Sequence, residues 1–236
     1  MIKQIQRIKD GILEVLFPTI CAVCGLKLSS EELSVCTICL NDKFEEAGFG
    51  DSKSSSNIML PEGIYLQHAL WNFDKGGYLQ DLMHQLKYNR LTGVGEDIGR
   101  QLGKSLMKNP WFVDRIKNGN AVLLPVPLHP RKRKTRGYNQ AFFVAKGVSV
   151  VTGLAVVKRE DVQRIKNTST QTGFSLEKRR KNIDGAFHLK NPGKIKNSIC
   201  VIIDDVFTTG ATTFELAAVL KTGGTAEIII ATVAQA

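Results

Sequence analysis

Residues 200–213 read CVIIDDVFTTGATT, and the fold is decided by how this stretch is read. Apolar side chains occupy both parities of its first half, as expected of a strand covered on both faces of a parallel sheet. The run ends in two adjacent carboxylates, Asp204 and Asp205. The short loop Thr208, Thr209, Gly210, Ala211 and Thr212 then leads into TFELAAVLKT at 213–222. A loop of backbone N–H groups and hydroxyls at a helix N-terminus suits a phosphomonoester. The two acids would repel that phosphate, so they are better placed to accept hydrogen bonds from neutral ribose hydroxyls on the same molecule. Together the parts describe a site for a ribose 5-phosphate. Thr212-x-x-Glu215 has the spacing of a capping box, and Gly223 is suited to end the helix.

Working outward, the C-terminal half alternates strands and helices. AVLLPVPL (121–128), LAVVKRE (154–160), SICVIIDD (198–205) and AEIIIATVA (226–234) read as strands. YNQAFFVAKGVSVV (138–151) and TFELAAVLKT read as helices. This order predicts an α/β fold, a parallel sheet with helices on both faces, which binds ligands beyond the carboxyl ends of its strands. Upstream, IYLQHALWNFD (64–74) reads as a further strand, and 76–90 and 93–108 as two helices. Periodicity vanishes over 45–63, rich in Gly and Ser, which predicts a linker or surface loop. Apolar residues at helical spacing over 2–17 predict an amphipathic helix.

A chain of 236 residues, 43% hydrophobic and 23% charged, suits one or two globular domains and poorly suits disorder or a fibre. No apolar run approaches the roughly 18 residues of a membrane span, so no membrane insertion is expected. The N-terminal segment lacks the pattern of a secretory signal, and a cytoplasmic location is the expectation. The formal charge is +10. RKRKTR at 131–136 contributes five basic side chains and no acidic one, and 158–181 contributes eight against three. Two local cationic patches favour a polyanionic ligand: phosphate, pyrophosphate or nucleic acid. The arginines matter because a guanidinium can pair two hydrogen bonds with a phosphate.

Four of the five cysteines form two pairs, Cys21-x2-Cys24 and Cys36-x2-Cys39. Two such turns complete a tetrahedral sulfur shell that suits structural Zn2+. Zinc is favoured over disulfides, which a reducing compartment does not sustain, and over an iron–sulfur cluster, which also accepts four thiolates. Cys200 reads as a buried core thiol.

The string at 200–213 resembles the signature of type I phosphoribosyltransferases, which use 5-phosphoribosyl 1-pyrophosphate (PRPP) and Mg2+. With the cysteine pairs, PVPLHPRKRKTRGYNQA (125–141) and RIKNTSTQTGFSLEKRRKNIDGAF (164–187) added, the chain is similar to the ComF family, which includes the ComFC competence proteins, across nearly its whole length. Arg164, Thr168, Gln171, Arg179, Asn182, Ala186 and Phe187 fall at the family's spacings, while Phe174 replaces its usual leucine. The resemblance implies a helix and zinc module over 1–44, a linker or loop over 45–63, and a phosphoribosyltransferase-like domain over 64–236. Within that domain the family's hood would fall at 64–107, while the polar, basic segment 160–183, too long for a routine connection, reads as a mobile lid with a disordered surface loop as the alternative.

The resemblance further implies that Asp204, Asp205, Arg131 and Arg164 carry the chemistry. PRPP would be bound by Asp204, Asp205, Thr208, Thr209, Gly210, Ala211, Thr212, His129 and Arg131, with Mg2+ bridging its oxygens. Lys87 and Tyr88 match a lysine–aromatic pair of the family to which no role is assigned. The implied biology is natural transformation: uptake or handling of single-stranded DNA, with a competence helicase and a second copy of the chain among the partners to consider. The alternative is a PRPP sensor or DNA-uptake adaptor without turnover. No residue identifies the acceptor.

Overall fold

Apolar residues on both parities of Ile199–Phe207 force that run into the middle of a sheet, because neither of its faces can meet water. The computed structural model of the protein describes residues 19–29, 32, 34–47, 49–50, 60–88, 92–168 and 182–236. The helix expected over 2–17 and residues 169–181 of the expected lid, with Gln171, Phe174 and Arg179, lie outside the described residues. The strands are β1 (Phe49–Gly50), β2 (Ile64–Asn72), β3 (Ala121–Pro125), β4 (Ala155–Val156), β5 (Val162–Arg164), β6 (Phe187–Leu189), β7 (Ile199–Phe207) and β8 (Glu227–Gln235). Six of them form a sheet in the order β1-β2-β8-β7-β3-β4, parallel except for β1 against β2, while β5 and β6 pair antiparallel on their own.

Alternation along the two central strands sorts the core into two halves. Ile199, Val201 and Ile203 of β7, with Ile229, Ala231 and Val233 of β8, face one apolar cluster; Cys200, Ile202, Ile228 and Ile230 face the other. The first face is covered by α2 (Tyr78–Tyr88), α3 (Thr92–Met107), α4 (Pro110–Asn118) and α6 (Gln140–Thr152). The second is covered by α7 (Ala211–Thr222) and the β5–β6 hairpin. Helices therefore lie on both faces of a mostly parallel sheet. Two shorter α-helices among the described residues are α1 (Thr37–Asp42) and α5 (Pro130–Arg136).

In α5, His129 is the N-cap, Pro130 holds the first turn, and Gly137 ends the helix with φ 89°. Two local expectations are corrected. The strand expected over 154–160 is paired only at Ala155–Val156, because β4 lies at the sheet edge and Lys158, Arg159 and Glu160 turn out into solvent. Part of 45–63 is also paired: Asn72 N–H donates to the Glu45 carbonyl and Ala47 N–H to the Leu70 carbonyl, and β1 follows. No helix among the described residues is long and apolar enough to cross a membrane.

The helical layer owes its close fit to glycine. Val94, Ile98, Leu102 and Leu106 recur every four residues along α3 and are fully buried. Gly99 lies on the same helix where it meets α6. A Cβ on Gly99 would stand 2.1 Å from the Val144 carbonyl oxygen, and one on Gly147 would stand 2.1 Å from the Glu96 carbonyl oxygen. Only glycine lets the two backbones approach so nearly.

Candidate functional site

The carboxyl end of β7 carries Asp204 and Asp205 into a half-buried position at the rim of the sheet. Their backbones are set by their own side chains: Asp204 Oδ1 accepts from Asp205 N–H at 2.9 Å, and Asp205 Oδ1 accepts from Val206 N–H at 2.8 Å. The second carboxylate is the better held. Lys87, on the last turn of α2, forms an ion pair with Asp205 Oδ2 at 2.8 Å, and Gln140 Nε2, at the start of α6, donates to the same oxygen at 3.2 Å.

These contacts split the pair electrostatically. Burial raises Asp204 strongly and the neighbouring Asp205 charge raises it further, to about 8. Burial also works on Asp205, but the Lys87 ammonium and its hydrogen bond outweigh that and hold the carboxyl down at about 2. Lys87 in turn is raised, chiefly by the Asp205 charge. Arg164 is lowered by burial, and the charge of Asp204 partly offsets that. It also bonds Thr168 Oγ1 and lies 5.4 Å from the Phe187 ring centre.

Beyond β7 the chain turns at Gly210, which has φ 73° and whose absent Cβ would stand 2.4 Å from the Phe214 ring. That turn aims Ala211 and Thr212 into α7. The cap differs from the expected box: Gly210 is the N-cap with no side-chain capping bond, Thr213 Oγ1 donates to the Gly210 carbonyl at 3.1 Å, and Glu215 instead accepts from Gly185 N–H at 2.8 Å. Gly223 does end the helix. Within the loop, the enclosed Thr209 Oγ1 has no hydrogen-bond partner among the described residues. A buried hydroxyl left so is costly unless a ligand takes the bond.

His129 and Arg131 sit at the start of α5, where His129 Nδ1 accepts from Arg131 N–H at 3.2 Å. They reach the same rim as the acids, because β3 runs parallel to β7 and the chain leaves both strands at that end. Lys87 and Gln140 are the residues that sequence reading left without a role. Lys87 falls at the end of an amphipathic helix and Gln140 looks like a helix-start residue, and nothing local signals that both converge on Asp205. Tyr138 has a structural task, its hydroxyl donating to the Leu86 carbonyl, and Asn139 Nδ2 donates to the Val126 carbonyl at 3.0 Å.

The cysteine pairs form a second centre. The sulfur atoms of Cys21, Cys24, Cys36 and Cys39 lie within 4.8 Å of one another, and those of Cys24 and Cys36 are 3.7 Å apart. Four sulfurs about 2.3 Å from one zinc ion stand roughly 3.8 Å apart, so the donor set fits Zn2+. Amide hydrogens already point at the sulfurs: Val23 N–H and Cys36 N–H donate to Cys21 Sγ at 3.4 and 3.3 Å, and Cys39 N–H donates to Cys36 Sγ at 3.4 Å. Burial raises the Cys21 thiol, but amide donors, led by Cys36, overcome it and bring it to about 7, whereas burial keeps Cys36 and Cys39 high. The centre is docked, not tethered. Asp97 of α3, raised by its burial, accepts from Ser34 and Val35 N–H at 2.6 and 3.1 Å, and Gln85 Nε2 of α2 donates to the Ala22 carbonyl at 3.1 Å.

The phosphoribosyl transferase domain family matches residues 134–236. The DNA utilization protein YhgH of Escherichia coli is 28% identical over 226 residues, covering 89% of this chain and 94% of that protein. Its counterpart in Salmonella typhimurium is 26% identical over 224 residues with the same coverage. Competence protein F of Haemophilus influenzae is 35% identical over 107 residues, 45% of this chain and 46% of that one. Among solved structures, a glutamine PRPP amidotransferase of B. subtilis superposes with a TM-score of 0.39 and 13% identity, over 60% of this chain and 26% of that one.

Proposed function

We propose that the chain, which is similar to phosphoribosyl transferases, to the DNA utilization protein YhgH and to competence protein F, is a ComF-like type I phosphoribosyltransferase that binds PRPP with Mg2+ and serves DNA uptake or handling in natural transformation. The observation that carries the reading is the junction of β7 and α7: two acids at a strand end, then a glycine turn into a helix N-terminus with an enclosed Thr209 hydroxyl that has no partner among the described residues. Asp204 and Asp205 accept hydrogen bonds from the ribose hydroxyls, and Thr208 to Thr212 hold the 5-phosphate with backbone N–H groups and hydroxyls. His129 and Arg131 lie toward the pyrophosphate, and Arg164 adds positive charge from the side of the expected lid.

Mg2+, carried with PRPP, would neutralise pyrophosphate charge, and Asp204 and Asp205 would be the carboxylates to hold its waters. In transfer, the bond from ribose C1 to the pyrophosphate oxygen breaks and the pyrophosphate departs with the electron pair. The acceptor forms the new bond at C1. The chain contributes by fixing the sugar and by placing cations near the departing charge. The zinc module, closed by four thiolates, has a structural part.

Calorimetric titration of PRPP, with and without Mg2+, tests this on wild type and on the double variant Asp204→Asn/Asp205→Asn. Binding that requires Mg2+ and is lost in the variant supports the site. Equal affinity in both proteins removes the ribose contacts and the reading with them. Pyrophosphate release measured over a panel of acceptors then separates a transferase from a PRPP-sensing adaptor.

A further inference from the structure

On the side of β3 away from β7 lies a cavity of about 460 Å³. None of its lining residues belongs to β7, to the Thr208–Thr212 loop or to the cysteine module. Its floor is aliphatic, with Leu124 of β3 and Val157 buried beneath it. One wall is aromatic: Tyr138 and Phe142 both stand edge-on to Phe143, with ring centres 5.5 and 5.6 Å apart, and Phe142 is 40% exposed. The rim is cationic, from Arg133, Lys158 and Arg159, with Glu160 beside them.

Those cations come from the two segments that hold the chain's excess positive charge, which the fold has brought to one opening. In the sequence the basic residues have few aromatic neighbours. In three dimensions the first turn of α6 supplies them.

From this juxtaposition we infer that the cavity is a second ligand site, taking one unpaired nucleotide with its base against Phe142 and Phe143 and its phosphate on Arg133, Lys158 and Arg159. Flat apolar rings beside cations are what a base and its phosphate require together, and base–aromatic stacking tolerates any sequence. The space admits a single nucleotide. A duplex, whose bases are already stacked and paired, presents no face to the rings. Glu160 can accept from an exocyclic amino group. The site gives the DNA-handling side of the proposed function a location and rests on that reading for its purpose, but its chemistry does not involve Asp204 or Asp205.

The test uses the full chain loaded with zinc. Fluorescence anisotropy follows a labelled thymine oligonucleotide, a hairpin duplex of equal length, and thymidine 5′-monophosphate as competitor. The variants are Phe142→Ala, whose side chain is already part-exposed, and Arg133→Ala/Arg159→Ala. Single-strand binding should exceed duplex binding, fall about fivefold or more in Phe142→Ala, and show a shallower dependence on salt in the arginine variant. Competition by the mononucleotide assigns the site to free nucleotides as well as strands; its absence assigns the site to strands alone. Equal binding of duplex and single strand, or unchanged affinity in Phe142→Ala, overturns the inference. Titration of Mg2+ and PRPP on the same variants reports their folding and separates failure of this site from failure of the ribose-phosphate site.

Discussion

Asp204 and Asp205 are chemically identical neighbours on one strand, yet the fold treats them oppositely: one meets burial and a like charge, the other an ammonium at 2.8 Å. The consequence is a pH dependence whose sign follows from Asp204. The unfolded chain gives up this proton near pH 4, while the folded chain keeps it up to about 8. Stability contributed by the protonated native form is therefore complete below the unfolded pKa and is lost as pH rises through the folded one. Without ligand, wild type should lose at least about 1.4 kcal/mol more than Asp204→Asn between pH 5 and 8, the worth of one pK unit. Urea unfolding at the two pH values measures this, and parallel profiles would show Asp204 ionised throughout. The pair itself was legible in the sequence, because a strand's apolar run stops at it. Its asymmetry was not, because Lys87 and Gln140 approach from two other helices.

At the scale of elements, legibility followed apolar patterning. β7 and β8 announce themselves as apolar runs, and α3 by its four-residue recurrence. The helix α5 has no buried residue, so periodicity carries no signal there; only the His129–Pro130 start and the Gly137 stop do. α4 was missed although Asn109 caps it and Pro110 opens it, since its short span buries only Phe112. The glycine seam between α3 and α6 is likewise invisible in one dimension, because each glycine is tolerable in a helix and only their juxtaposition explains them. It should also be the most sensitive feature of this layer. Gly99→Ala or Gly147→Ala drives a methyl into a backbone carbonyl, and about 1–3 kcal/mol of overpacking is expected from either. Thermal unfolding checks it. Gly193→Ala, where a Cβ meets nothing within 4 Å, is the matched control and should change little.

Over the whole molecule, the two centres share a helix. On α2, Gln85 holds the first cysteine turn through the Ala22 carbonyl, and two residues later Lys87 holds Asp205. Cys21, Cys36 and Cys39 continue the same apolar cluster as Leu79, Leu82 and Leu86 on that helix, and Asp97 anchors residues 34 and 35 from α3. Loss of the metal that the four thiolates fit would loosen the two cysteine turns and with them the Gln85–Ala22 contact that braces the end of α2. The expected outcome is reciprocal coupling between metal and ligand. Stripping zinc with a chelator, or replacing Cys21 and Cys36 by serine, should lower Tm and weaken PRPP binding in Mg2+ by about fivefold or more. Because the effect runs through Lys87, Lys87→Met should reproduce part of the affinity loss with the zinc site intact, and the two changes together should cost less than their sum. Calorimetry on the four proteins of that cycle decides it. Additive losses would make the cysteine module a stabilising appendage, and a smaller combined loss makes α2 the lever by which zinc sets the acids.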